Sequence, residues 1–416
     1  MKKSPFLHSL LFVSFLSLAG LVSPALAADE TPDFTAETLT GNWAGARTRL
    51  YNAGVNVEAA YTGDVLSNVD GGIKHGTNYI DNLDVTMTVD GEKLYGLKGS
   101  TIFIYLLNNN GPAFNSSYVG SNDGISNIEV ARTGFKLYEA WIEQAFFDEK
   151  FSLRGGLYDL NSEFNVTDSS GVFLNPTFGI DTAYAATGSA GPSIFPTTSL
   201  ALRAKYMPTE NWYLQAAILD GVPGDPDNRG TAIDLDDKDG ALVAGEVGYG
   251  AVAKGRVAVG GWWYTSHFDH LVDVDDNGNP LRRRSTGAYV VAEKTLYTPD
   301  AGGERHLDGF IRMAGTSGTV SNYSSSGSIG VAYTGPFASR AEDVAGIAFH
   351  GAVNSDPYRR ANDPLNANEW GIEATYAAQL TPWLSLQPDL QFVSNPGSAP
   401  GTDDALVTGI RMGLAL

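Results

Sequence analysis

The sequence predicts an all-β fold, a transmembrane antiparallel β-barrel of about sixteen strands with long extracellular loops at one end and short turns at the other. Three observations predict it. The 416 residues include 48 Gly, 19 Tyr and 19 Phe but only 18% charged residues, which suits strands with an apolar face and many turns. Past residue 27 no uninterrupted apolar stretch reaches the ~18 residues a spanning helix needs, so a membrane role would have to use strands. Apolar residues also recur at every second position in many segments, and the connections between those segments alternate in length.

Taken in order, Lys2 and Lys3 precede an apolar run from Phe6 to Val22, and Ala25-Leu26-Ala27 supplies the small-x-small pattern of a signal-peptidase site. Residues 1–27 therefore read as a signal peptide cleaved before Ala28. A membrane anchor fits less well, because the run is short, contains Ser9, Ser14 and Ser17, and breaks at Pro24. Residues 28–54 form an N-terminal segment in which Trp43, Ala46 and Leu50 share a helical stripe, predicting a short helix. The barrel occupies residues 55–416. Strands are expected near 55–64, 79–90, 100–108, 135–146, 151–158, 199–206, 212–219 and 242–249. A second set is expected near 256–265, 286–297, 306–314, 327–334, 344–352, 368–379, 383–393 and 404–416. In the strand near 368–379, Trp370, Ile372, Ala374 and Tyr376 oppose Gly371, Glu373 and Thr375; in the one near 199–206, Leu200, Leu202 and Ala204 oppose Arg203 and Lys205. Odd connections run to about 10–40 residues and even ones to about 3–9, the asymmetry of outer-membrane barrels.

Leu39-Thr40-Gly41-Asn42-Trp43-Ala44-Gly45-Ala46-Arg47-Thr48-Arg49-Leu50 resembles the opening of the carbohydrate-selective porins of the OprB type. Gly191-Pro192-Ser193-Ile194-Phe195-Pro196, Tyr333-Thr334-Gly335-Pro336 with Arg340 and Asp343, and Trp383 to Phe392 followed by Asn395-Pro396-Gly397 resemble later stretches of the same family. The matches run in order from residue 39 to 411. The resemblance implies a sixteen-stranded outer-membrane barrel with a short N-terminal helical segment, through which mono- and small oligosaccharides diffuse passively into the periplasm. It also implies no catalytic activity and no cofactor, and it favours a monomer over a trimer as the functional unit. One departure is the final Leu416, where such barrels often end on an aromatic residue.

A lumen of this size must be narrowed to select anything. The connection over about 159–198 is the longest and is expected to fold inward. It opens with Asp159, Asn161, Glu163 and Phe164: carboxylates and amides to accept hydroxyl protons, and a ring for the C–H face of a sugar. Strand phase turns Glu139, Trp141, Glu143, Arg154, Tyr158, Arg203, Lys205 and Glu373 to the lumen, with Arg312 and Arg411 further round. Asp159, Glu163, Glu143, Arg154 and Arg203 are expected to form a constriction carrying both signs of charge; pairing of each for barrel stability is the alternative reading. General diffusion of small hydrophilic solutes is the alternative function, with a soluble β-rich carbohydrate-binding protein behind it.

A formal net charge of −20 disfavours nucleic acid and an anion channel, and the absence of Cys removes thiolate chemistry. Asp273-Val274-Asp275-Asp276-Asn277-Gly278 matches half of a calcium loop, but Arg284 stands where a bidentate Glu is needed and Pro280 interrupts, so a surface turn is expected. Arg282-Arg283-Arg284 beside it suits either local ion pairs or lipopolysaccharide phosphates. Neither G-x-S-x-G nor H-E-x-x-H occurs, and His267 and His270 lack the companions that a metal site or a catalytic base requires.

Overall fold

A computed structural model describes residues 31–225, 230–236, 238–300 and 302–416; the predicted signal peptide lies outside them. All sixteen predicted strands are present. Half of the wall comprises β1 (Val55–Gly72), β2 (Gly76–Asp90), β3 (Ser100–Asn110), β4 (Gly134–Phe146), β5 (Phe151–Tyr158), β6 (Ser199–Thr209), β7 (Trp212–Asp220) and β8 (Ala241–Ala251). After β9 (Gly255–Tyr264) comes a separate hairpin of β10 (Phe268–Val274) and β11 (Pro280–Arg283). The wall resumes with β12 (Thr286–Tyr297), β13 (His306–Thr316), β14 (Tyr323–Thr334), β15 (Val344–Asn354), β16 (Asn368–Thr381), β17 (Leu384–Ser394) and β18 (Asp403–Ala415). Each wall strand pairs antiparallel with its neighbours, and β1 pairs with β18, so no sheet edge is left for lipid to meet.

Alternation decides the two faces. Leu202, Ile218, Val259, Ile311, Ile347 and Ile410 point outward and are exposed, while Arg203, Ala217, Ala258, Arg312, Ala348 and Arg411 beside them in sequence are buried inside. Aromatic residues mark both ends of the outward band. Trp212 and Tyr249 meet at 4.7 Å near the short turns, and Trp370 lies between Phe349 (5.7 Å) and Phe392 (5.6 Å) near the loops.

Two connections depart from expectation. The first long loop shrinks to 73–75, because β1 and β2 continue past the apolar band and keep pairing to Asn68↔Gly76. Ser67, Asn68 and Asp70 break the apolar alternation there, but beyond the bilayer no lipid demands it, and main-chain pairing continues, joined by Asn68 Nδ2 on the Gly71 and Lys74 carbonyls and by Thr77 on Ser67. For the same reason the connection between β13 and β14 shortens to 317–322. Asp273–Asn277 sits at the tip of the β10–β11 hairpin, where Asp275 Oδ1 accepts from the Asn277 and Asn279 amides at 2.8 and 2.9 Å.

The expected helix forms at Ala46–Asn52, preceded by a turn at Phe34–Glu37. Gly45, at φ 83°, reverses the chain before the helix in a conformation that glycine adopts without strain. From the helix the buried Arg47 guanidinium donates to the main-chain oxygens of Val57 on β1 (3.0 Å) and Leu416 after β18 (2.9 Å), with Phe34 and Trp43 against it at 4.6 and 4.9 Å. One side chain thus ties β1 to the residue that follows β18 at the closing seam. Inside the barrel the same seam carries an ion pair, Arg411 to Asp64, at 2.7 and 2.8 Å between directly opposed residues.

Candidate functional site: a lumen crossed by two loops

The 159–198 connection does fold inward, and the geometry of its root explains how it is held. Glu163 lies between strands β5 and β6: its carboxylate accepts from Arg203 Nε at 2.7 Å and Tyr158 Oη at 2.7 Å, with Arg154 at 3.4 Å and Lys205 at 3.5 Å. Glu143 on β4 takes the other side of the same arginines, at 2.8 Å from Arg154 and 2.5 Å from Arg203. Register brings them together, since Glu143 opposes Arg154 and Arg154 opposes Arg203 across neighbouring strands. Burial would raise the Glu163 carboxyl, but Arg154, Arg203 and Lys205 together hold it well below the usual carboxylate range. Asp159, on the same loop, goes the other way: burial pushes its carboxyl up. A permanent charge and an easily neutralised one therefore stand four positions apart.

Glu143, Glu163, Arg154, Arg203 and Lys205 thus form one cluster of both signs. Lys205 is its most open member, with 30% of its side chain exposed. Asp159 stands apart, its own amide donating to Glu139 at 3.1 Å and its Oδ1 accepting from Asn161. The Asn161 amide nitrogen is spent on the carbonyls of Phe164 and Gly179. Four expected sugar-facing groups are turned to other uses. Phe164 is fully buried under the loop and offers no ring to a solute. Trp141 is buried, with Arg154 at 3.7 Å and Phe103 at 4.9 Å against its ring. Tyr158 is buried and donates to Glu163. Glu373 is fully buried, accepting the consecutive amides of Leu174 (2.6 Å) and Asn175 (2.9 Å).

That use of Glu373 recurs. From the cluster the loop runs on round the wall, where Glu246 on β8 accepts the Asn165 amide (3.0 Å) and Glu293 on β12 accepts the Ser169 amide (3.0 Å). Arg312 on β13 donates to the carbonyls of Asn165 (2.7 Å), Gly179 (2.9 Å) and Phe178. On its way back the loop stacks Tyr184 on Trp262 of β9, at 3.9 Å and 11°. Wall charges here satisfy loop main chain that would otherwise be buried without partners.

A second loop, 111–133, also enters the lumen, and the sequence reasoning missed it. Glu369 on β16 accepts the amides of Asn122 (3.0 Å) and Asp123 (3.1 Å), Asp64 accepts the Ser126 hydroxyl (2.7 Å), and Arg411 donates to Asn127 (2.8 Å). The available signal was its content of Asn and Ser interleaved with Ile125, Ile128 and Val130, apolar residues that an exposed loop would not need. Asp84, which strand phase also turns inward but which was not expected at the site, accepts from Tyr105 Oη at 2.7 Å and Asn82 at 2.7 Å.

A family model described as the carbohydrate-selective porin, OprB family, matches residues 74–416. Porin B of Pseudomonas aeruginosa is 27% identical, covering 95% of each chain, and the putative porin QuiX of Acinetobacter baylyi is 22% identical over 95% of this chain and 98% of its own. The high-pH structure of Pseudomonas putida OprB superposes with a TM-score of 0.84 at 20% identity, covering 93% of this chain and all of that one. With the match spanning most of the barrel, this chain belongs to the OprB family of carbohydrate-selective porins.

Proposed function

We propose that sugars pass this outer-membrane porin beside the cluster of Glu143, Glu163, Arg154, Arg203 and Lys205. The observation that carries this reading is the ionic seam between the inward loop and strands β4–β6. Acids and bases set side by side produce a field across the passage, and a polyol can answer both signs because each hydroxyl donates and accepts. Every charge in the seam is already paired, so a sugar hydroxyl exchanges one hydrogen bond for another and does not capture a bare ion. Binding stays weak enough for release on the periplasmic side. Lys205 supplies the more open donor.

Residues 1–27 act in this reading as the export signal, and 28–54 as a periplasmic clasp on a barrel domain of residues 55–416. The lumen is enclosed by one chain, which supports the monomer as the permeating unit, and the exposed Arg282 and Arg283 on the outer hairpin suit lipopolysaccharide phosphates. Single channels in planar bilayers test the proposal. Glucose should interrupt the ion current of the wild type, and Lys205→Ala with Glu163→Gln should shorten the interruptions; glucose without effect on wild-type current would remove the sugar contact.

A further inference from the structure

Resting on the reading of the lumen as a constricted channel, we propose that Asp123 is a positioning residue that fastens the two inward loops to each other and to the wall. The size limit of the channel then belongs to both loops acting as one body. Asp123 sits in the 111–133 loop and is 3% exposed. Its Oδ1 accepts from the Thr182 hydroxyl of the 159–198 loop at 2.7 Å, and its Oδ2 meets His350 Nδ1 of β15 at 2.8 Å. Its own amide is anchored on Glu369 Oε1 of β16 at 3.1 Å. Both loops and two wall strands therefore converge on one residue, with Thr182 and His350 on its carboxylate and Glu369 on its amide.

The surroundings are shaped for this contact. His350 is 2% exposed and stands against the edge-on ring of Phe178, at 5.5 Å and 89°. The position beneath the imidazole is Gly371, where a Cβ would lie 2.4 Å from His350 Nε2. Only a residue without a side chain leaves the imidazole where it can reach Asp123. Around the node the loops bond directly to one another: the Asn127 amide to the Leu174 carbonyl at 2.7 Å, and Asn175 Nδ2 to the Gly124 carbonyl at 2.9 Å. Deleting the carboxylate strands a buried hydroxyl and a buried imidazole together, which favours separation of the loops over their continued contact.

The test measures liposome swelling in glucose and in a disaccharide, together with single-channel conductance, for wild type, Asp123→Ala, Thr182→Val, the double variant and Gly371→Ala. Heat-shifted mobility in detergent gels monitors barrel integrity. Asp123→Ala should raise both the conductance and the disaccharide-to-glucose ratio while the barrel stays intact. Thr182→Val should shift both in the same direction, less far, and add nothing in the Asp123→Ala background, because it removes a bond already lost. Gly371→Ala should reproduce the effect from the wall side. Wild-type ratios and conductance in Asp123→Ala and Thr182→Val would overturn the proposal, and if Asp123→Ala does not assemble, Thr182→Val and Gly371→Ala decide it. A wild type that admits a size-matched amino acid as fast as glucose would remove the sugar preference, yet the size ratios would still judge the interlock.

Discussion

Glu163 shows how one side chain can pin an inward loop to the wall of a barrel. Its three cationic neighbours keep it charged, so the field it helps to build does not fade within the physiological range. Removing that charge leaves Arg154 and Arg203 with only Glu143 between them. Glu163→Gln should lower resistance to urea unfolding by about 3–5 kcal/mol, the usual cost of breaking a buried pair, whereas Glu210→Gln on an exposed turn should change nothing. Glu129, in the 111–133 loop, carries the opposite behaviour. Burial pushes its carboxyl up to about 7, against the opposing bonds from the Asn115 and Phe114 amides. The folded protein therefore holds this proton more tightly than the unfolded chain, and the associated stability fades as pH rises from the ordinary carboxylate range through about 7. Ionisation also adds a negative charge to the lumen. Reversal potentials should report a cation preference that grows as pH passes about 7, and Glu129→Gln should flatten that rise. At this scale the sequence was partly legible: strand phase turned Glu143, Arg154 and Arg203 inward, but nothing in Phe164 or Trp141 announced that loop and guanidinium would cover their rings.

At the scale of elements, the strands were legible because a barrel wall imposes a period of two on every residue between water and lipid. The loops were not, because their course depends on partners far away in sequence. Glu246 and Glu293 could be read as lumen charges from their phase, yet their acceptance of the Asn165 and Ser169 amides links positions that share no pattern. The same holds for the seam, where Arg47 reaches both Val57 and Leu416. What Arg47 reads there is main-chain oxygen, which every residue carries. Arg47→Leu should lower the temperature at which the folded band converts to the unfolded band in detergent gels, and Asp64→Asn should do so independently from inside the lumen. An unchanged transition in both would show that β1–β18 pairing closes the barrel unaided.

For the whole molecule, a closed wall and two hung loops divide the labour. The wall closes on itself through β1 and β18, and both loops are bonded to it inside the lumen. The sequence as a whole carries a formal net charge of −20, while the lumen wall itself carries both signs, with Glu143, Asp64 and Glu293 beside Arg154, Arg411 and Arg256. Family membership fixes the porin function, and the mixed-sign seam of Glu143, Glu163, Arg154, Arg203 and Lys205 is the physical account offered for the preference for sugars. Liposome swelling tests that account most directly, comparing glucose with a size-matched neutral amino acid in wild type and in Glu163→Ala with Arg203→Ala. Faster swelling in glucose for the wild type, falling to the amino-acid rate in the variant, is the predicted result; equal rates for the two solutes in the wild type would contradict it.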